Sequence, residues 1–370
     1  MIDKILLYYP SFERGGAEKN LINIVNYFTK KKIKIFLFSH NVKKEKFYKS
    51  NYLKIIRSQP LKNMNFIPIR WNLALSAALN LKYYAKKFDK NSIIFSMQSH
   101  IPAIIIAKLS KKKIIIRNSE EPLGATYYAD NKIIAFLVLG LKFIFYNFSD
   151  QIIAISKKSQ QSLKKIVFFK RKIILILNPY LVNVHKIKKV EKRKKKFSIL
   201  SVGRITKQKN LYLLINSIYN LSKKYENIEL TIVGDGNLFD DIKNKTSNQK
   251  NIRLIKWKKN LKPFFLRSDL FILSSYYEGL PNVLIDAVNY GVPCIATNVS
   301  GVKDILVNGK GGLIIPNNNQ QELEKNIEYS INNYPKIKKM VLIAKKKLVR
   351  FTNINCVLMH KQFNRIINYK

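Results

Sequence analysis

Short runs of apolar, largely β-branched residues recur along the whole chain, separated by stretches of a different period. In the first half they read "KILLYY", "KIKIFLFS", "SIIFSM", "KIIIRN", "QIIAIS" and "KIILIL". In the second they read "FSILSV", "IELTIV", "IRLIKW", "DLFILSS", "PCIATN" and "GGLIIP". Runs that stay apolar at consecutive positions mark strands buried on both faces, which predicts parallel sheets covered by helices. Between them the apolar positions recur every three or four residues. Leu21, Ile24, Val25 and Phe28 do so after "GGAE", and Leu213, Leu214, Ile218 and Leu221 do so within residues 210–224. The rhythm breaks once, at "NPY" (178–180) and the basic run that follows.

The pattern predicts two doubly wound α/β domains facing each other across a cleft. Their expected bounds are residues 1–182 and 197–345, joined by a basic linker at 183–196. Residues 346–370 are expected to form a helical segment that crosses back to the first domain. One stretch stands apart, "IIAFLVLGLKFIFYNF" at 133–148. Lys142 interrupts it, and it is shorter than the roughly 20 apolar residues a membrane-spanning helix needs. It is expected to be a buried or interfacial helix.

Composition narrows the class. With 370 residues, 47% of them hydrophobic, the chain can bury two cores and is not globally disordered. Its only cysteines, Cys294 and Cys356, exclude a disulfide framework and suit a reducing compartment. Asp3 and Pro10 interrupt the N-terminus before any secretory pattern develops, so a cytoplasmic location is expected.

The net charge of +46, from 68 basic and 22 acidic residues, points to an anionic partner. The candidates are anionic lipid, nucleic acid and phosphorylated substrates. The run "KIKKVEKRKKK" (186–196) reads first as a solvated linker and second as a membrane contact. "TKKKIK", "NVKKEKFYK" and "KLSKKKIIIR" alternate cations with apolar residues in the first half. They suggest peripheral contact with an anionic membrane surface. No zinc-finger, helix-turn-helix or RNP-like signature accompanies the charge, so nucleic acid is not expected as a partner.

In doubly wound sheets ligands bind outside the carboxyl ends of the strands, beside the N-termini of the following helices. "SVGRITKQKN" (201–210) places Gly203 at a strand end, then Arg204, then Lys209 at a helix start. Such a string is either a solvated turn or a phosphate cradle. "SSYYEGLPNVLIDA" (274–287) puts Glu278 at a strand-to-helix turn, with Asp286 eight positions on in the helix that Pro281 begins. Gly279 lets the backbone turn, so that amides around Leu280 and Asn282 face a ligand. Glu278 is placed to accept hydrogen bonds from sugar hydroxyls. "GGAE" (15–18) follows the first strand and lets backbone approach a phosphate. No His/Cys/Asp cluster has metal-ligand spacing, so neither metal nor cofactor is expected.

Together "GGAE", "SVGRITKQKN", "LTIVGDGNL", "DLFILSSYYEGLPNVLIDA" and "GVPCIATNVSGVKDIL" resemble the retaining glycosyltransferases of family 4, which have the GT-B fold. The resemblance is nearly continuous in the second half and thinner in the first. It implies sugar transfer from a UDP- or GDP-sugar to a glycan or lipid-linked acceptor. Arg204 and Lys209 would bind the donor diphosphate, and Gly16 would lie in the loop closing on it. Glu278 would meet the donor sugar, and His100 would be a catalytic histidine facing that sugar. Gly279, Leu280 and Asn282 would line the donor. Asp286 stands where the family usually has Glu for the ribose hydroxyls, and its shorter side chain implies a longer or water-mediated contact. The alternatives are a degenerate GT-B scaffold, a basic nucleic-acid-binding protein and a sugar phosphorylase on the same fold.

Overall fold

In a computed structural model, the structure describes residues 1–11, 16–62, 64, 67–89, 91–185 and 196–368. The chain divides into two compact units: residues 1–182 with 350–370, and residues 183–349. Most of the basic linker (186–195) lies outside the described residues, as does Gly15.

The first unit runs β1 (Lys4–Tyr8), α1 (Gly16–Lys30), β2 (Lys34–Ser39), β3 (Leu53–Arg57), α2 (Ile69–Lys87), β4 (Ser92–Ser96) and α3 (His100–Leu109). It continues with β5 (Ile114–Asn118), α4 (Pro122–Tyr127), α5 (Lys132–Phe145), β6 (Gln151–Ala154), α6 (Lys157–Ile166) and β7 (Ile173–Leu175). The strands form one parallel sheet in the order β3-β2-β1-β4-β5-β6-β7. Leu21, Ile24, Val25 and Phe28 of α1 pack on one face, where the expected helical stripe meets β1, β2 and β4. Ala77 and Leu81 of α2, Ala103 and Ile104 of α3, and Leu163 of α6 cover the other.

The second unit runs β8 (Phe197–Val202), α7 (Leu211–Ser222), β9 (Ile228–Val233), α8 (Phe239–Thr246), β10 (Ile252–Ile255), α9 (Lys262–Arg267) and β11 (Leu270–Leu273). Then follow α10 (Asn282–Asn289), β12 (Cys294–Thr297), α11 (Val302–Ile305), β13 (Leu313–Ile315), α12 (Gln320–Asn332) and α13 (Tyr334–Lys346). Its sheet is also parallel, in the order β10-β9-β8-β11-β12-β13. Leu213, Leu214 and Ile218 of α7 and Leu323 and Ile327 of α12 fill the core against β8, β9 and β11. The last helix, α14 (Ile354–Asn368), lies in the first unit, with Cys356, Met359 and Phe363 in its core.

Two expectations need correction. β3 was not among the expected strands; "LKIIR" is an edge strand buried only at Leu53 and exposed at Lys54 and Arg57, rather than a continuous buried run. Of the two readings of residues 133–148, buried or interfacial, the first is excluded: no residue of α5 is buried. The helix lies over the sheet's helical layer through Leu139 and Phe145, with Ala135, Val138 and Lys142 half-buried, and leaves its other side chains exposed.

Candidate functional site

In both sheets the strand order reverses once, between β1 and β4 and between β8 and β11. Loops leaving adjacent strands at such a point diverge to opposite faces and leave a crevice. The candidate residues follow these four strands.

After β8, the Gly203 N–H donates to the Val233 carbonyl (3.1 Å) and the Ile205 N–H to that of Asp235 (2.8 Å). The loop carrying Arg204 is thus strapped to the loop after β9. Two glycines permit the approach. A Cβ on Gly234 would fall 1.9 Å from the Gly203 oxygen, and one on Gly236 would fall 2.3 Å from the Ile205 oxygen. At Gly203 an added Cβ would sit 2.9 Å from Lys209 Cε, so this glycine makes room for the Lys209 side chain. Residues Lys207–Lys209 form one 3-10 turn, and Asn210 turns left-handed (φ 46°) into α7, which starts without a capping side chain.

Lys209 Nζ donates to Glu278 Oε1 at 2.5 Å, and Ser275 Oγ donates to the same oxygen at 2.8 Å. Glu278 is only 8% exposed. Ser274 Oγ donates to the Lys209 carbonyl (2.8 Å), and the Tyr276 N–H to that of Gln208 (2.9 Å). Gln208 Nε2 donates back to the Tyr277 carbonyl (2.9 Å). Arg204 is exposed, with Nη2 3.4 Å from Gln208 Oε1. Candidates from two motifs, Lys209 and Glu278 being 69 residues apart, therefore meet at one place. Lys209 also lines a small recess there, together with Gly203, Arg204, Ser274 and Ser275.

Beyond Glu278 the turn is fixed from below. The Gly279 carbonyl accepts from Ser300 Oγ (2.9 Å). Leu280 is buried against Gly301, where a Cβ would meet Leu280 Cδ1 at 2.6 Å. Pro281 occupies the capping position and donates nothing, so α10 begins at Asn282 without a side-chain cap. Asp286 lies one turn on, half-buried. At the other end of α10, Lys345 Nζ donates to the Asn289 carbonyl (2.6 Å) and Lys338 Nζ to that of Gly291 (2.9 Å). Cations there complement the helix dipole.

In the first unit Gly16 opens α1 after β1, and His100 opens α3 after β4. His100 is buried, its Nδ1 2.8 Å from Ser96 Oγ and its ring edge-on to Tyr146. Burial, then the charges of Lys142 and Arg117, push its pKa down to about 3. It is a neutral imidazole at ordinary pH.

The structure adds Gly234, Gly236, Gln208 and Ser275 to the residues singled out from sequence. "VGDGN" signalled the two glycines, but the atoms they avoid lie on another loop. Ser275 and Gln208 carried no signal of their own. Among the described residues no group of three or more His, Cys, Asp or Glu side chains is arranged to hold a metal ion.

Residues 184–347, nearly the whole second unit, match the family model described as Glycosyl transferases group 1. An uncharacterized glycosyltransferase of Methanocaldococcus jannaschii is 30% identical over 229 residues, 56% of this chain and 55% of that protein. A second relative, from Campylobacter jejuni, is 25% identical over 357 residues, covering 94% of both chains. It is the GalNAc-alpha-(1->4)-GalNAc-alpha-(1->3)-diNAcBac-PP-undecaprenol alpha-1,4-N-acetyl-D-galactosaminyltransferase. Anabaena HepE, solved in complex with UDP and glucose, has a TM-score of 0.75 over 100% of both chains at 16% identity. The chain spans about half the length of the first curated relatives it matches. Its fold is that of the GT-B glycosyltransferases, two parallel-sheet α/β units. In the sequence of its second unit it is likewise similar to glycosyltransferases.

Proposed function

We propose that the chain is a retaining, metal-independent glycosyltransferase of family 4, moving a hexose-type sugar from a UDP- or GDP-sugar to an acceptor hydroxyl. The observation that carries this is the meeting of Lys209 with Glu278, beside the small recess that Lys209 lines with Arg204 at a topological switch point. Two cations beside an uncapped helix start suit a diphosphate, and a nearly buried carboxylate suits sugar hydroxyls. Asp286 then faces the ribose, and Gly279, Leu280 and Asn282 form the turn under the donor. Gly16, the first residue of α1, would approach the diphosphate through its backbone. His100 acts at the sugar as a neutral hydrogen-bonding group, since its burial keeps it uncharged.

In the transfer, the bond from the anomeric carbon to the diphosphate oxygen breaks as the acceptor oxygen bonds to the same face. The acceptor proton passes to the leaving phosphate. Arg204, Lys209 and the N-termini of α7 and α10 stabilise the negative charge that develops there. The acceptor is a lipid-linked or lipopolysaccharide or capsular glycan, consistent with the undecaprenol-linked substrate in the name of the Campylobacter relative. The chain meets it at the anionic inner face of a cytoplasmic membrane, a setting that suits its +46 charge.

Isothermal titration with UDP, GDP and ADP tests the donor site. Arg204→Ala removes a charge-assisted phosphate contact from an exposed position and should weaken UDP or GDP binding by about 1.5–3 kcal/mol, roughly ten- to hundredfold. Glu278→Gln frees Lys209 from its ion pair, so nucleotide affinity should hold or tighten while turnover falls steeply. Unchanged affinity in Arg204→Ala, or tight binding of single-stranded RNA with none of any nucleotide, would end this reading.

A further inference from the structure

A surface helix ordinarily hides an apolar stripe and shows charge outside. α5 does the reverse. None of its 14 residues is buried, and Ile133, Phe136 and Leu137 are 75%, 62% and 64% exposed. A Cβ on Gly140 would meet nothing within 4 Å. The apolar surface continues past the helix, because the Phe143 ring lies 4.8 Å, edge-on, from that of Phe168, and Phe168 and Phe169 are both exposed. A contiguous exposed patch of this kind marks a surface that something covers.

Three features identify the covering partner. From residue 133 to 144 every exposed side chain is apolar, and Lys142 is turned inward to an ion pair with Glu120. A protein partner brings roughly one hydrogen bond per 100–200 Å² and asks for polar groups in return, whereas hydrocarbon asks for none. Exposed Lys132, Lys170 and Arg171 rim the patch in a chain of charge +46, so a second copy would meet like charge and anionic headgroups the opposite. At 1.5 Å per residue α5 is about 21 Å long. Among the described residues no helix is long and apolar enough to cross a membrane.

We infer that α5, with Phe168 and Phe169, lies in the plane of an anionic bilayer, its exposed face seated at the boundary of headgroups and acyl chains. This deepens the membrane part of the proposed function by naming the surface and by adding apolar insertion to charge attraction.

The test uses the full chain. Cys294 and Cys356 are buried, so Phe136→Cys gives one reactive site for an environment-sensitive fluorophore, and Lys325→Cys in the second unit gives a control. On phosphatidylglycerol/phosphatidylethanolamine vesicles, the label at 136 should shift to the blue and become shielded from aqueous iodide, while the label at 325 does neither. The double variant Phe136→Asp/Leu137→Asp should bind vesicles roughly tenfold or more weakly, as loss of large apolar contacts implies. Its circular dichroism and UDP affinity should match the parent, which separates this outcome from failure of the donor site. Parent binding should persist in part at 1 M NaCl, where the Debye length is about 3 Å. A label at 136 that stays open to iodide on bound vesicles would overturn the inference. So would a parent dimer that the double variant dissolves with vesicle binding unchanged.

Discussion

Gly234 is the residue whose constraint is hardest to relieve. The atom a Cβ would strike, 1.9 Å away, is the Gly203 backbone oxygen, which no rotamer can move. Gly234→Ala should therefore displace the loop carrying Arg204, costing about 1–3 kcal/mol of stability as overpacking does. It should also weaken UDP binding, although Gly234 is not placed against the ligand. Gly140→Ala is the matched control, since nothing lies near that site, and a helix-interior alanine there should be neutral or slightly stabilising. Equal nucleotide affinity in Gly234→Ala and the parent would show that the strap does not position Arg204.

His100 supplies a second residue-scale expectation. Its pKa falls from an ordinary 6.5 to about 3 through burial first and then Lys142 and Arg117. Between those values the unfolded chain takes up a proton that the folded chain refuses. Its contribution is therefore full above pH 6.5 and lost as pH falls toward 3, at up to about 1.4 kcal/mol per pH unit. Relative to His100→Asn, the parent should lose about 2 kcal/mol between pH 6.5 and 5 in denaturant melts. A difference that does not change with pH would mean that the ring is solvated.

At the scale of elements, the sequence was legible where burial is two-sided. Runs such as "KILLYY" and "DLFILSS" announce β1 and β11 because a central parallel strand leaves little room for polar residues on either face. β3 escaped because an edge strand keeps one flank toward solvent, and Lys54 and Arg57 break its apolar run. For α5 the period and composition are those of a core helix, and only the topology shows that α2, α3 and α6 already cover that face of the sheet. The site divides in the same way. The placement of Arg204, Lys209 and Glu278 in the turns after β8 and β11 was legible because each stands next to a motif with its own turn residues. Ser275 and Gln208 were not, because their roles exist only once the loops after β8 and β11 lie side by side.

For the whole molecule, the chain's end does not stay with the unit that precedes it. Residues 350–370 belong with 1–182, and α14 closes a core that α1 alone would leave open. Cys356, Met359 and Phe363 have no exposure. The Phe363 ring stacks on Phe28 at 5.4 Å and meets Phe95 edge-on at 5.0 Å. Asn364 Oδ1 accepts from the Ile2 N–H (2.9 Å), and the Phe351 carbonyl accepts from the Leu181 N–H (2.9 Å). Phe363→Ala should thus cost about 3–5 kcal/mol, as removing a buried aromatic ring does. The loss belongs to the first unit, because the second packs its own core around α7 and α12. Two cores in one chain need not unfold in one transition, so a single melting midpoint would blur the effect. Hydrogen exchange read segment by segment separates them. Protection should fall at β1, β4 and α1 and hold at α7, β8 and α10, with UDP affinity unchanged. A uniform loss across both sets of elements would show that the two cores unfold as one and would oppose the division at residue 350.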